Sequence, residues 1–163
     1  MIDINNFNET LKSKGLTIVC AESITAGLLS STIASVSGAS AILKGSIVTY
    51  SENLKMSILD VDPLILKKFT AESRETTDAM CIGLKKLYPE ASIHVAVTGV
   101  ASLPKDGSYT VNKDVGKIYV SIFYNKEFYQ LETVIQPNTG DERNSIRHQT
   151  VEFILESILQ NIV

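Results

Sequence analysis

The sequence predicts an α/β fold, a three-layer α/β/α single domain on a mixed β-sheet, and three observations predict it. Short runs rich in β-branched residues over 16–20, 42–50 and 93–97 alternate with segments of helical periodicity, the order that gives parallel strands joined by helical crossovers. The first and third runs are apolar almost throughout, the pattern of strands covered on both faces. Residues 117–124 and 127–135 flank Asn125-Lys126 alone, which reads as an antiparallel hairpin and makes the sheet mixed.

Each element has a local cause. After the capping residues Asp3 and Asn5, Ile4, Phe7 and Leu11 recur at helical spacing until Gly15 stops the helix. The first strand follows over 16–20, then the small, polar loop Ala21-Glu22-Ser23-Ile24-Thr25-Ala26-Gly27. Leu28, Leu29, Ile33 and Val36 carry a second helix to Gly38. The second strand, 42–50, is interrupted at Lys44-Gly45 and turns at Ser51 into a short helix over 54–59. Asp62-Pro63, a cap and a proline at the first helical position, opens another helix through Phe69. Ser73 caps a longer helix to Leu87, with Met80, Leu84 and Leu87 on one stripe and Pro89 as its stop. The third strand ends at Thr98-Gly99. Residues 99–115, with Pro104, Asp106-Gly107 and Asn112, hold no period and read as a long loop, a feature that in compact domains often carries function. Asp141 or Asn144 opens the last helix, whose Ile146, Val151, Ile154 and Ile158 face inward.

Composition narrows the function. With 163 residues, 44% hydrophobic and 20% charged, residues 1–163 are expected to fold alone as one domain. The net charge of −3 lacks the Lys and Arg excess that displaces phosphate counterions, so no nucleic-acid partner is expected. No run approaches the roughly 18 apolar residues of a membrane span. The N-terminal segment has no apolar core of signal-peptide type, and the expectation is a cytoplasmic chain with no membrane partner. Cys20 and Cys81 lie in apolar runs and are expected as free thiols in a reducing compartment. The Asp, Glu, Cys and His spacings form no metal pattern, and no Walker or G-x-G-x-x-G motif is present; neither metal nor cofactor is expected.

Chemistry-bearing residues gather at three strand ends: Glu22 to Gly27, Tyr50 to Lys55, and Thr98-Gly99. Ligands of open α/β sheets bind outside the carboxyl ends of strands. The small-residue loop before the second helix offers backbone N–H groups and a positive helix end, which suit a phosphate or an oxyanion. Ser23 reads either as a nucleophile or as a helix cap, and no G-x-S-x-G elbow surrounds it. His94, in an apolar strand, and His148, in the last helix, read as structural or solvated, so a Ser-His triad is not expected. A lysine replaces histidine as base when its surroundings lower its pKa from about 10.4 towards neutrality. Lys55 is the best placed; its other reading is an exposed lysine on a short helix. Tyr50 either relays a proton or orients the Lys55 amine, or else packs at a strand end with a wet hydroxyl. Arg143 and Arg147, four apart on one helical face, either hold an anionic group or form a solvated face.

These residues resemble one family. The loop from Ala21 to Gly27 resembles its A-E-S-x-T-G-G, Gly38-Ala39-Ser40 its G-[AS]-S, and Val48-Thr49-Tyr50-Ser51-Glu52-Asn53-Leu54-Lys55 its V-x-Y-S-N-x-x-K. Thr98-Gly99-Val100-Ala101 resembles its [TS]-G-I-A, and Val115-Gly116 its P-V-G. With Gly140-Asp141, Arg143 and Arg147, the ordered set is similar over nearly the whole chain to the CinA C-terminal-domain family, which includes stand-alone nicotinamide-nucleotide amidases.

The resemblance implies deamidation of nicotinamide mononucleotide to nicotinate mononucleotide and ammonia in pyridine-nucleotide salvage, without a cofactor, by a homo-oligomer, a dimer first of all. It implies Ser23 as nucleophile, Lys55 as its base, Tyr50 supporting the lysine and Thr98 binding or polarising the amide. It implies substrate contacts from Glu22, Thr25, Ala26, Gly27, Gly99, Arg143 and Arg147, with N–H groups around Thr25 to Gly27 at the oxyanion and one of the arginines at the phosphate.

Several positions depart from the family pattern. Ala26 stands at a glycine, Ser102-Leu103 at Gly-Pro, Asp114 at a proline and Lys117 at a threonine, and Glu142 is an insertion. The nucleotide-binding domain of longer members is not expected. The departures motivate a second reading, a paralogue that binds a nucleotide or protein partner without turnover.

Overall fold

The Asp3 carboxylate starts helix α1 (Ile4–Ser13) by accepting the N–H groups of Asn5 at 2.9 Å and Asn6 at 3.2 Å. Phe7 and Leu11, one turn apart, are fully buried. Between them Asn8 donates through Nδ2 to the Ile33 carbonyl at 2.9 Å, tying α1 to the end of α2 (Leu28–Ala34). The computed structural model describes residues 2–108 and 113–163. The other described elements are β1 (Ile18–Glu22), β2 (Leu43–Val48), α3 (Glu52–Leu59), α4 (Pro63–Phe69), α5 (Arg74–Leu87), β3 (Ile93–Gly99), β4 (Lys117–Tyr124), β5 (Glu127–Val134) and α6 (Glu142–Asn161).

The sheet order is β2-β1-β3-β4-β5. β1 pairs in parallel with β2 and β3, while β3, β4 and β5 pair antiparallel, so the sheet is mixed as expected. Two apolar clusters define the layers. Phe7, Leu29, Ile33, Ile146 and Ile154 pack against Cys20, Val95 and Val120 on one face; Leu59, Leu66, Met80 and Leu84 pack against Val19, Ala21 and Ala96 on the other. These faces make the three-layer α/β/α arrangement. Truncation of a filled core position such as Phe7 to alanine is expected to cost about 3–5 kcal/mol.

The boundaries differ from the sequence reading for local reasons. Thr17 and Ser92 each donate their N–H to the other's hydroxyl, at 3.1 and 3.0 Å, so the ladder opens only at Ile18. β1 then runs to Glu22, and β3 runs through Thr98 and Gly99 because β4 supplies Tyr119 and Ile118 as partners. The interruption at Lys44-Gly45 is a bulge: Ile18 faces Leu43 but Val19 faces Gly45. Residues 39–41 form a 3₁₀ turn that the sequence reading did not include. Asn125 and Lys126 both take positive φ, 49° and 67°, the geometry of a two-residue turn matched to strand twist. Asp141, of the two candidates, stands at the start of α6. Within the 99–115 loop, Asn112 lies outside the described residues.

Cys20 and Cys81 are free and buried, and burial raises both thiols, Cys81 to about 12. Among the described residues no helix is long and apolar enough to cross a membrane.

Candidate active site

Parallel pairing sets Glu22 opposite both Val48 and Val97, so Ser23, Thr49 and Thr98 stand one residue further on, at a single edge of the sheet. Ser23 is fixed there by its N–H, which donates to the Val97 carbonyl at 3.2 Å. Its side chain caps no helix: α2 begins at Gly27, four residues further on, and the partner of the Ser23 hydroxyl is Lys55. The cap reading of Ser23 is therefore set aside.

Lys55 reaches this edge because Ser51 turns the chain after β2. The Ser51 hydroxyl accepts the Leu54 N–H at 3.3 Å and starts α3. Lys55 and Leu59, one turn apart, are the helix's buried residues. The Lys55 side chain is fully buried, which excludes the exposed-lysine reading. Its Nζ lies 3.0 Å from Ser23 Oγ, 2.6 Å from the Thr49 carbonyl and 3.2 Å from the Tyr50 carbonyl. Desolvation lowers its pKa to about 8, against a smaller opposing attraction to Glu72 and Glu52.

The protonation logic follows from that geometry. A charged ammonium has three hydrogens for these three oxygens. A neutral amine has two, and the two carbonyls can only accept, so they take both. The lone pair is then left for Ser23, oriented to receive its proton.

The other expected residues are held by bonds within the protein. Glu22 is fully buried and caps α2 through its carboxylate, which accepts the N–H groups of Gly27 (2.9 Å), Leu29 (3.1 Å) and Ser30 (3.0 Å) and the Ser46 hydroxyl (2.8 Å). Burial raises its pKa, but these bonds outweigh that and hold the carboxyl below its ordinary value. Glu22 therefore occupies the positive helix end expected for a ligand and braces the entry of α2.

Gly27 takes φ +93° at this cap, a conformation cheap only for glycine. The Ala26 N–H is likewise spent, on the Ser23 carbonyl at 3.1 Å. In this loop the N–H groups of Ile24 and Thr25 alone make no hydrogen bond among the described residues. The N–H groups of Ala26 and Gly27 are thus already bonded, and of the two free ones in this loop only that of Ile24 belongs to a residue lining the cleft.

Thr98 is fully buried, its Oγ1 2.7 Å from that of Thr77. Thr77 donates its single hydroxyl proton to the Ser73 carbonyl at 2.6 Å, so Thr98 donates to Thr77. Thr98 thereby ties the end of β3 to α5 and lies behind the cleft wall. The Tyr50 phenol accepts from Arg143 Nη2 at 2.6 Å, and only the Tyr50 backbone carbonyl touches Lys55. Arg143 also donates to Ser102 Oγ at 2.6 Å. Arg147 points elsewhere, donating to the Thr25 carbonyl at 2.9 Å and to Asn144 at 3.0 Å. His94 is tied to the Tyr88 carbonyl at 2.6 Å, a structural role.

Ser23, Tyr50, Glu72, Arg143 and the 99–102 segment line an open cleft. A Cβ at Gly99 would come within 2.6 Å of the Ile118 side chain, so glycine lets this wall close. Glu72 was not singled out in the sequence. It precedes Ser73, the cap of α5, and a crossover helix between parallel strands begins at their carboxyl edge. That topological rule is the signal that would have found it.

A model of the family described as CinA C-terminal domain matches residues 4–162. The chain belongs to the CinA C-terminal domain family. A CinA-like protein of Petrotoga mobilis is 40% identical over 158 residues, covering 97% of this chain and 37% of its own length. Another, from Thermotoga maritima, is 40% identical over 148 residues, covering 91% and 34%. The chain thus spans about a third of the length of these curated CinA relatives. Among solved structures, the competence/damage inducible protein CihA from Agrobacterium tumefaciens superposes with a TM-score of 0.81 at 30% identity, covering 98% of this chain and 95% of that one. Competence damage-inducible protein A from Klebsiella pneumoniae gives 0.83 at 20% identity, covering 99% and 98%, a likeness of fold.

Proposed function

We propose that this CinA-family protein is an amidohydrolase that converts nicotinamide mononucleotide to nicotinate mononucleotide and ammonia through an acyl-enzyme on Ser23. The observation that carries the reading is the buried Lys55 amine, 3.0 Å from the Ser23 hydroxyl and braced by two carbonyls.

In this mechanism neutral Lys55 takes the Ser23 proton as Oγ bonds to the carboxamide carbon. The developing oxyanion draws on the N–H group of Ile24, which lines the cleft and has no competing acceptor among the described residues. Collapse breaks the C–N bond, and the Lys55 ammonium gives its proton to the departing nitrogen, releasing ammonia. Water, deprotonated by Lys55, then attacks the ester; the acid leaves and Ser23 regains its proton. The Arg143 guanidinium on the cleft wall suits the phosphate through charge-assisted hydrogen bonds. Glu22, Thr98 and Arg147 act as positioning residues, by bracing α2, the end of β3 and the 23–27 loop respectively.

The test is ammonia release from nicotinamide mononucleotide by wild type, Ser23→Ala and Lys55→Ala. Turnover by wild type that falls at least about 10³-fold in each variant is expected for a nucleophile and base acting as a unit. Binding without turnover by the wild type overturns the amidase reading.

A further inference from the structure

Glu72 shares the cleft with Ser23 and Arg143, yet the mechanism above gives it no task. It is half-buried, and among the described residues its carboxylate makes no ion pair and no side-chain hydrogen bond. Lys55 and Lys113 attract it from beyond pairing distance, while Glu52 repels it. Lys55 is already committed to three oxygens. A half-buried carboxylate with no counter-charge in contact is costly to keep, and a cation entering the cleft would lower that cost.

In the same cleft, Arg143 presents the opposite charge. One free carboxylate and one guanidinium on the same walls match a substrate that is itself dipolar, with a cationic ring near the scissile amide and an anionic group further out. Building on the amidase reading above, we propose that Glu72 is a specificity-determining residue that selects substrates with a fixed positive charge on the ring bearing the amide. Its raised pKa, caused first by burial, agrees with a carboxylate that lacks a counter-charge until substrate arrives.

The experiment compares two probes that differ in ring charge: nicotinamide mononucleotide, whose pyridinium is cationic, and benzamide ribonucleotide, its neutral-ring isostere. The readout is the ratio of kcat/KM values for the pair in wild type, Glu72→Gln and Glu72→Asp. A wild-type preference for the cation, reduced about tenfold by Glu72→Gln and largely kept by Glu72→Asp, is the expected result; tenfold corresponds to about 1.4 kcal/mol. A ratio unmoved by Glu72→Gln overturns the proposal, including the case where both rates fall together as for a proton-transfer or structural role. If neither probe is turned over, the amidase reading fails while calorimetric binding of the same two probes still decides. A dissociation-constant ratio that favours the cation and collapses in Glu72→Gln supports the selection, and equal affinities overturn it.

Discussion

The Lys55 amine and the Ser23 hydroxyl are 3.0 Å apart, and the lysine's other two contacts are backbone carbonyls that can only accept. The pair is therefore productive only when Lys55 is neutral. With the Lys55 pKa brought down to about 8 by burial, kcat/KM is expected to rise tenfold per pH unit below that value and level off above it. A profile flat from pH 6 to 9 would remove Lys55 from the role of base.

The same burial has a cost in stability. Below about pH 8 the folded and unfolded states both hold the Lys55 proton, and the folded state bears the whole penalty, about 3 kcal/mol for the shift from 10.5 to about 8. Between those values only the unfolded state binds the proton, so stability from this group grows as pH rises. Lys55→Met is expected to be more stable than wild type by about 1–2 kcal/mol at pH 7, after the loss of two carbonyl contacts. That advantage should vanish towards pH 10.5. Urea titrations of both proteins across this range measure the difference, and a variant less stable at pH 7 would refute the account.

Much of the fold was legible because the strongest physical signals were local. β1 and β3 are buried on both faces and read as nearly continuous apolar runs, and Asp62-Pro63 and Ser73 announce α4 and α5 by capping chemistry. Strand limits were less legible. The Thr17–Ser92 exchange and the pairing of Gly99 with Ile118 join residues far apart in sequence. In the site, Ser23 and Lys55 were found through their place after consecutive strands, whereas side-chain direction was not readable. Glu22 and Ser23 are adjacent, yet one turns into the helix end and the other into the cleft. Glu72 escaped because it belongs to the link between α4 and α5, not to a strand end.

Glu22 carries the entry of α2. Glu22→Gln places an NH₂ group among three backbone N–H donors and the Ser46 hydroxyl, and a loss of about 2–3 kcal/mol is expected from the unsatisfied groups. Because its folded pKa lies below the unfolded value, Glu22 contributes stability above the ordinary Glu range that disappears as pH falls through the folded value. The variant should lack this part of the acid sensitivity. Chemical denaturation at pH 7 and pH 4 tests both points, and equal pH dependence in the two proteins would exclude them.

Arg143 and Arg147 are separated by one helical turn but do different things. Arg143 faces the cleft, and Arg147 holds the Thr25 carbonyl behind it. Arg143→Ala is expected to act mainly on KM, raising it at least about tenfold through the lost anion contact. Arg147→Ala should act mainly on kcat by loosening the 23–27 loop. Steady-state kinetics separate the two, and the opposite split would reverse the assignment of the phosphate site.

Ala26 sits at φ +48°, left-handed backbone that an alanine adopts at a cost of about 1–2 kcal/mol. The loop keeps this conformation against the strain, held by the Ala26 N–H on the Ser23 carbonyl and the Gly27 N–H beside it on the Glu22 carboxylate. Ala26→Gly relieves that strain and loses part of the gain to the greater freedom of glycine in the unfolded chain. A net stabilisation of about 0.5–1 kcal/mol is expected, a rise of roughly 1–4 °C in Tm at this chain length. A lower Tm would mean that the alanine methyl makes a contact worth more than the backbone strain it imposes.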